Sequence, residues 1–191
     1  AETIQNHVIK MNGSIVITDT GSLTLENSEI IFMGGDLSVA NGELNLTVQS
    51  NGTLVIYNSK ITTDNANYFS YLISEEDALI HLEDSTFSQL GYDTSHGSLY
   101  ILSDDAYIEN CTIEVPKNSV AGLYFLDVNL AQVTDCNITS DTTNSNHGIG
   151  IKIVNSQFVK VTNCFIEIKG TEGYGIELYS ASNCNIQQNT I

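Results

Sequence analysis

Val133-Thr134-Asp135-Cys136-Asn137-Ile138 and, 28 residues on, Val161-Thr162-Asn163-Cys164-Phe165-Ile166 are two copies of one hexapeptide, and its recurrence decides the fold. The pattern is an apolar or small residue, any residue, Asn or Asp, Ser or Cys, any residue, then Ile or Phe. Five more copies occur at 25–30, 56–61, 82–87, 108–113 and 181–186. Their Ser/Cys positions are separated by 31, 26, 26, 25, 28 and 20 residues. A second pattern, Gly followed by alternating apolar residues, starts at Gly13, Gly21, Gly35, Gly42 and Gly52, with related pieces at Gly122, Gly150 and Gly175. Alternation of period two marks strands, and no apolar stripe of helical period persists.

A unit of 20–31 residues made of short strands and turns is one coil of a solenoid. The chain is therefore expected to be all-β: a single-stranded right-handed parallel β-helix of about seven coils, forming one domain over 1–191. Seven coils at the ~4.8 Å strand spacing give a rod of roughly 34 Å. Within each copy Asn or Asp takes a turn conformation with positive φ, which these side chains tolerate. The corner positions Asn27, Asn58, Asp84, Asn110, Asp135, Asn163 and Asn183 should then stack. So should two apolar ladders, Leu25/Ile56/Leu82/Ile108/Val133/Val161/Ala181 and Ile30/Ile61/Phe87/Ile113/Ile138/Ile166/Ile186. Residues 62–77, centred on Tyr68-Phe69-Ser70-Tyr71, and 139–147 are expected to be excursions between coils.

Composition agrees. Of 191 residues, Ser, Thr and Asn supply 57, and Pro116 is the one proline. Six lysines face 23 acidic residues, so the formal net charge is −17, and there is no arginine. Nucleic acid is excluded as a partner on that balance, because phosphate binding needs clustered cations. No apolar run approaches the ~18 residues of a membrane span, so no membrane insertion is expected.

The C-terminal segment Gly173-Tyr174-Gly175-Ile176-Glu177-Leu178-Tyr179-Ser180-Ala181-Ser182-Asn183-Cys184-Asn185-Ile186 resembles the parallel β-helix repeat of the NosD-type and CASH families. The resemblance holds for that coil and, with longer inserts, for coils from residue 97 onward. It implies the fold. It leaves function open among polysaccharide lyases, glycosidases, epimerases, adhesins and surface-layer modules.

Chemistry-bearing residues are sparse. Asp104 and Asp105, with His147, are the candidate catalytic set for glycoside hydrolysis, which uses paired carboxylates; solvated turn residues are the default reading. No cofactor is expected. Calcium is the ion that Ser74-Glu75-Glu76-Asp77 and Asp104-Asp105 could take through oxygen ligands. The four histidines (His7, His81, His96, His147) are dispersed and suggest no metal site.

Cys111, Cys136, Cys164 and Cys184 occupy the motif position held by Ser28, Ser59 and Ser85 in earlier coils. They are read as an inward ladder of small thiols. The alternative is bridging of adjacent rungs as Cys111–Cys136 and Cys164–Cys184. Stacked Cβ atoms near 4.8 Å lie slightly beyond the usual disulfide range.

Asn12, Asn45, Asn51, Asn110 and Asn137 head Asn-x-Ser/Thr sequons and are glycosylation candidates. A start at Ala1-Glu2 is compatible with a mature terminus after signal removal. No capping helix is legible at either end, and bare solenoid edges associate. These features point to a secreted, extracellular surface protein of archaeal or bacterial type. It would be non-enzymatic and would self-assemble by edge stacking and lateral contacts into a surface layer, sheath or filament. The alternative is a carbohydrate-binding or polysaccharide-cleaving module with a lateral groove lined by Tyr100, Tyr124, Tyr174, Asp104 and Asp105.

Overall fold

The computed structural model describes residues 1–33, 44–64, 70–90, 97–115, 121–140, 148–169 and 173–191. All regular structure among them is β-strand, 22 strands in three parallel sheets. Sheet A stacks Glu2–Gln5, Ser22–Glu26, Thr53–Tyr57, Leu79–Glu83, Asp105–Glu109, Gln132–Thr134, Lys160–Thr162 and Asn185–Gln187. Sheet B stacks Val8–Met11, Glu29–Phe32, Lys60–Thr63, Thr86–Ser88, Thr112–Val115, Asn137–Ser140 and Phe165–Ile168. Sheet C stacks Ile15–Ile17, Leu44–Val48, Ser70–Ser74, Leu99–Ile101, Leu123–Leu126, Ile149–Val154 and Tyr174–Tyr179. The chain visits A, B and C in rotation, which makes seven full turns and one further strand of sheet A.

Alternation places every second side chain inside. In sheet A the register runs Leu25, Ile56, Leu82, Ile108, Val133, Val161 and then Ile186. In sheet B it runs Ile9, Ile30, Ile61, Phe87, Ile113, Ile138 and Ile166. Sheet C contributes Leu46, Leu72, Leu99, Leu123 and Ile151. These rows form one continuous apolar cluster, and between its first and last turns nearly every member is fully enclosed. Burial of a Leu or Ile side chain contributes ~1.5–3 kcal/mol, so the stacked rows are the main source of stability.

Three sequence expectations need correction. First, Ala181–Ile186 does not stack on Val161–Ile166. Val161 pairs with Ile186, and Phe165 bridges to Thr190. The copy that follows 161–166 is therefore Ile186-Gln187-Gln188-Asn189-Thr190-Ile191. Ala181–Ile186 instead forms the corner from sheet C to sheet A, where Ser182 pairs with Gln157. The 20-residue spacing, short of a full coil, carries this difference. Second, both described flanks of 62–77 belong to the coils: Thr62 and Thr63 end a sheet B strand and Ser70–Ser74 is a sheet C strand. Third, Thr139 and Ser140 close the strand Asn137–Ser140. The rest of that expected excursion, 141–147, lies outside the described residues, as do Tyr68, Phe69 and the Gly35 and Gly42 strand starts.

Candidate functional site

The A-to-B corner is the most regular feature of the molecule. Asn6, Asn27, Asn58, Asp84, Asn110, Asp135, Asn163 and Gln188 occupy it in successive turns, with φ between 43° and 58°. Asn and Asp tolerate this left-handed region better than other side chains. Two of the stacked pairs are bonded to each other: Asn58 Nδ2 donates to Asn27 Oδ1 at 2.6 Å, and Asn110 Nδ2 to Asp84 Oδ1 at 2.5 Å.

The next side chain turns back and caps the corner. Ser28, Ser59 and Ser85 hydroxyls donate to the carbonyl two residues earlier at 2.8, 2.7 and 2.6 Å. Cys111, Cys136 and Cys164 thiols do the same at 3.2, 3.3 and 3.4 Å. Each serine also accepts from the rung below: Ser28 N donates to Ser59 Oγ at 3.0 Å and Ser59 N to Ser85 Oγ at 3.1 Å. Asn189 ends the row, its Oδ1 accepting from Cys164 N at 2.8 Å while its Nδ2 donates to Val161 O at 2.9 Å. His7 begins it, its backbone N donating to Ser28 Oγ at 3.2 Å.

Cys111, Cys136 and Cys164 are thus a buried ladder of free thiols. Cys184 does not join them. It lies in a different inner row, beyond Ala131 and Val159. Since Val159 is its rung neighbour, it is displaced from Cys164 by 164 − 159 = 5 strand positions. At ~3.3 Å per residue that is far outside the Cα range of a disulfide. The alternative Cys164–Cys184 bridge is excluded by this register, and so is the place given to Cys184 in the ladder. The contact of Cys136 with Cys111 raises its thiol pKa most; contact with Cys164 pulls it partly back, burial adds, and the result is about 12. The Cys164 thiol is pushed upward by Cys136 and by burial.

Of the candidate catalytic set, Asp104 and Asp105 lie among the described residues. Asp104 sits at the C-to-A corner where the corners lengthen. Its Oδ1 accepts from Asn129 N at 2.5 Å and from Asn129 Nδ2 at 3.3 Å, supplying an acceptor that the shorter corner below lacks. Asp105 is exposed at the start of a sheet A strand, opposite Leu79. His147 lies outside the described residues, as does His96. Tyr174 pairs with Ile149 and is exposed, three positions before the Lys152–Glu177 pair, whereas Tyr100 and Tyr124 face outward from sheet C as direct register partners.

That outward row has its own order. Ile73, Tyr100, Tyr124, Lys152 and Glu177 are register neighbours across five strands. The two phenol rings meet edge to face at 5.0 Å, Lys152 Nζ lies 5.4 Å from the Tyr124 ring centre, and Lys152 pairs with Glu177 at 3.3 Å. Burial, then Tyr124 and Asp127, holds the Tyr100 phenol above its ordinary value. On sheet A, His81 reaches Glu83 at 3.0 Å and its ring lies 5.0 Å from that of Tyr107. Tyr107 donates to Glu109, which pushes its phenol up to about 12.

Glu75, in the acidic segment considered for calcium, accepts from Ser50 N at 3.1 Å. Among the described residues no group of three or more His, Cys, Asp or Glu side chains is arranged to hold a metal ion. Of the sequons, Asn12, Asn51, Asn110 and Asn137 are exposed and Asn45 is half-buried.

Three parallel sheets wound in rotation around one apolar core define a parallel β-solenoid. The chain belongs to the right-handed β-helix region family, whose model matches residues 70–191. No curated protein and no solved structure matches it at a significant level.

Proposed function

We propose that the chain is a non-enzymatic extracellular structural protein, of prokaryotic surface type, that self-assembles by edge stacking into a layer, sheath or filament. The supporting observation is the state of the end turns. At the last one, the inner-row residue Leu178 is 50% exposed and Ile191 is 71% exposed. A trough of about 420 Å³ there is lined by Phe165, Ile166, Ile168, Gly173, Gly175 and Ile191. At the first turn, Ile4, Met11 and Ile15 are only partly covered by the core beneath them. Both ends share one three-sheet outline, and each presents strand edges that accept a further strand. The dense negative charge keeps the lateral faces soluble, so association is expected along the stacking direction.

Sedimentation and electron microscopy of the protein across a concentration series test the reading. Polymers are expected, and Ile186→Lys or Ile191→Lys should abolish them while the strand signal in circular dichroism persists. A monodisperse monomer at high concentration would refute self-assembly.

A second reading rests on the outward row of sheet C. Tyr100 and Tyr124 with Lys152 form a platform of the kind on which sugar rings stack. Retention on immobilised polysaccharides, lost in Tyr124→Ala, would favour a carbohydrate-binding module. Cleavage of a polysaccharide, lost in Asp105→Asn, would establish an enzyme.

A further inference from the structure

We infer that the thiol ladder is a redox-sensitive corner able to form a single intramolecular disulfide, always through Cys136 and to either neighbour.

The register carries this. Cys111, Cys136 and Cys164 lie on three consecutive turns at one corner position, as Asn137 N to Cys111 O and Phe165 N to Cys136 O show, at 2.8 and 2.9 Å. Adjacent rungs are ~4.8 Å apart, inside the Cα range of a disulfide, and their Cβ atoms need an approach of under ~1 Å. Cys111 and Cys164 are two rungs apart, roughly 9.6 Å, and cannot meet. Cys184 lies in another row. Three stacked thiols sharing one middle partner yield one bridge, so two of the four thiols must survive oxidation. An even count of cysteines alone suggests two bridges.

The step needs an oxidant, here a small-molecule disulfide such as oxidised glutathione. A Cys136 or neighbouring thiolate attacks one of its sulfurs and releases one glutathione thiolate. The neighbouring ladder thiol, losing its proton, then displaces the second glutathione. Two ladder thiols give up two protons and two electrons, and the oxidant becomes two thiols. The thiols are 1–2% exposed, so the corner must open briefly for the first attack. Because the Cys136 thiol is held up to about 12, the oxidation rate should keep climbing above pH 9, where an ordinary thiol levels off.

Serine is the natural replacement, since Ser28, Ser59 and Ser85 fill the same place and make the same cap. The dilute full chain is incubated with oxidised glutathione and the monomer isolated. Free thiols and glutathione adducts are counted together after denaturation, so that only protein disulfides lower the count, and bridged peptides are mapped. The parent should fall from four thiols to two, with Cys136 in every bridged peptide. Cys111→Ser and Cys164→Ser should each fall from three to one. Cys136→Ser should stay at three. A parent that falls to zero, a parent that stays at four, or a Cys136→Ser chain that falls to one would each overturn the inference.

Discussion

Gly150 offers a test in which the sign of the effect depends on the stacking of the last turns. It is the second residue of the sheet C strand Ile149–Val154, with Gly175 above it. A methyl group there would meet Ile166 Cγ2 at 2.5 Å and the Gly175 carbonyl oxygen at 2.6 Å. The oxygen belongs to a laddered backbone and cannot retreat without breaking the register between Ile149–Val154 and Tyr174–Tyr179. Gly150 has no left-handed φ, so in open space alanine would stabilise by ~0.4–1 kcal/mol through the unfolded chain. Overpacking costs ~1–3 kcal/mol, and the balance is a net loss of about 1–2 kcal/mol. Gly13→Ala is the control, because nothing lies within 4 Å of its added methyl, and it should gain ~0.4–1 kcal/mol. Urea unfolding followed by circular dichroism compares the two midpoints, and hydrogen exchange shows whether the loss is confined to the last turns, as nearest-neighbour stability in a solenoid predicts. Ile166→Leu, which removes the β-branch methyl, should recover only part of the Gly150→Ala loss because the carbonyl contact remains. A Gly150→Ala chain as stable as the parent would show that the last turns are not stacked this closely.

Asp104→Ala should cost about 1–3 kcal/mol by leaving Asn129 N–H without its acceptor, and Asp104→Asn, which keeps one oxygen, clearly less; denaturation midpoints read both. Asn110→Ala places a β-carbon at φ 49° and removes the bond to Asp84, so a loss of ~1–2 kcal/mol is expected, with Asn110→Gly nearer neutral in the same assay. The Cys136 thiol has its folded pKa raised, so its contribution is complete below the ordinary thiol value and disappears as pH rises toward about 12. Reduced protein should therefore lose up to ~1.4 kcal/mol per pH unit above about pH 9 from this group, and Cys136→Ser should show a shallower decline in unfolding midpoint with pH.

The repeat made most of the fold legible, because a solenoid prints its geometry into the sequence once per turn. Six copies of the hexapeptide, from Leu25 to Ile166, stack as their spacing implies. The seventh misled because the same local chemistry builds two different corners. Asn183 has φ 54° and Cys184 Sγ caps Ser182 O at 3.5 Å, much as at the A-to-B corner, yet this turn joins C to A. The true first and last copies were hidden by their fillers. His7 and Asn189 stand where Ser or Cys was sought, and Gln188 takes the left-handed position usually given to Asn. What the corner requires is a side chain that fills the space and meets the backbone of the neighbouring rung, and a carboxamide does both. The outward row through Tyr100, Tyr124 and Lys152 was less accessible. Strand alternation says which residues face out, but their alignment depends on the lengths of the intervening segments. Tyr174, assigned to that groove, pairs with Ile149, three positions before the Lys152–Glu177 pair, and so does not continue the row.

The unequal strand numbers, eight in sheet A against seven in sheets B and C, bear on any filament made from this chain. Among the described residues the last turn is a stair, not a flat face. If a second copy seats Glu2–Gln5 on Asn185–Gln187, the sheet A wall runs on unbroken and a one-strand notch is left over Tyr174–Tyr179. If the newcomer surrenders its first strand, the notch closes and the copies interlock. The two joints differ by one step in axial repeat, about 38 Å against about 34 Å at the ~4.8 Å rung height, and a layer line in fibre diffraction would distinguish a lapped joint from an interlocked one.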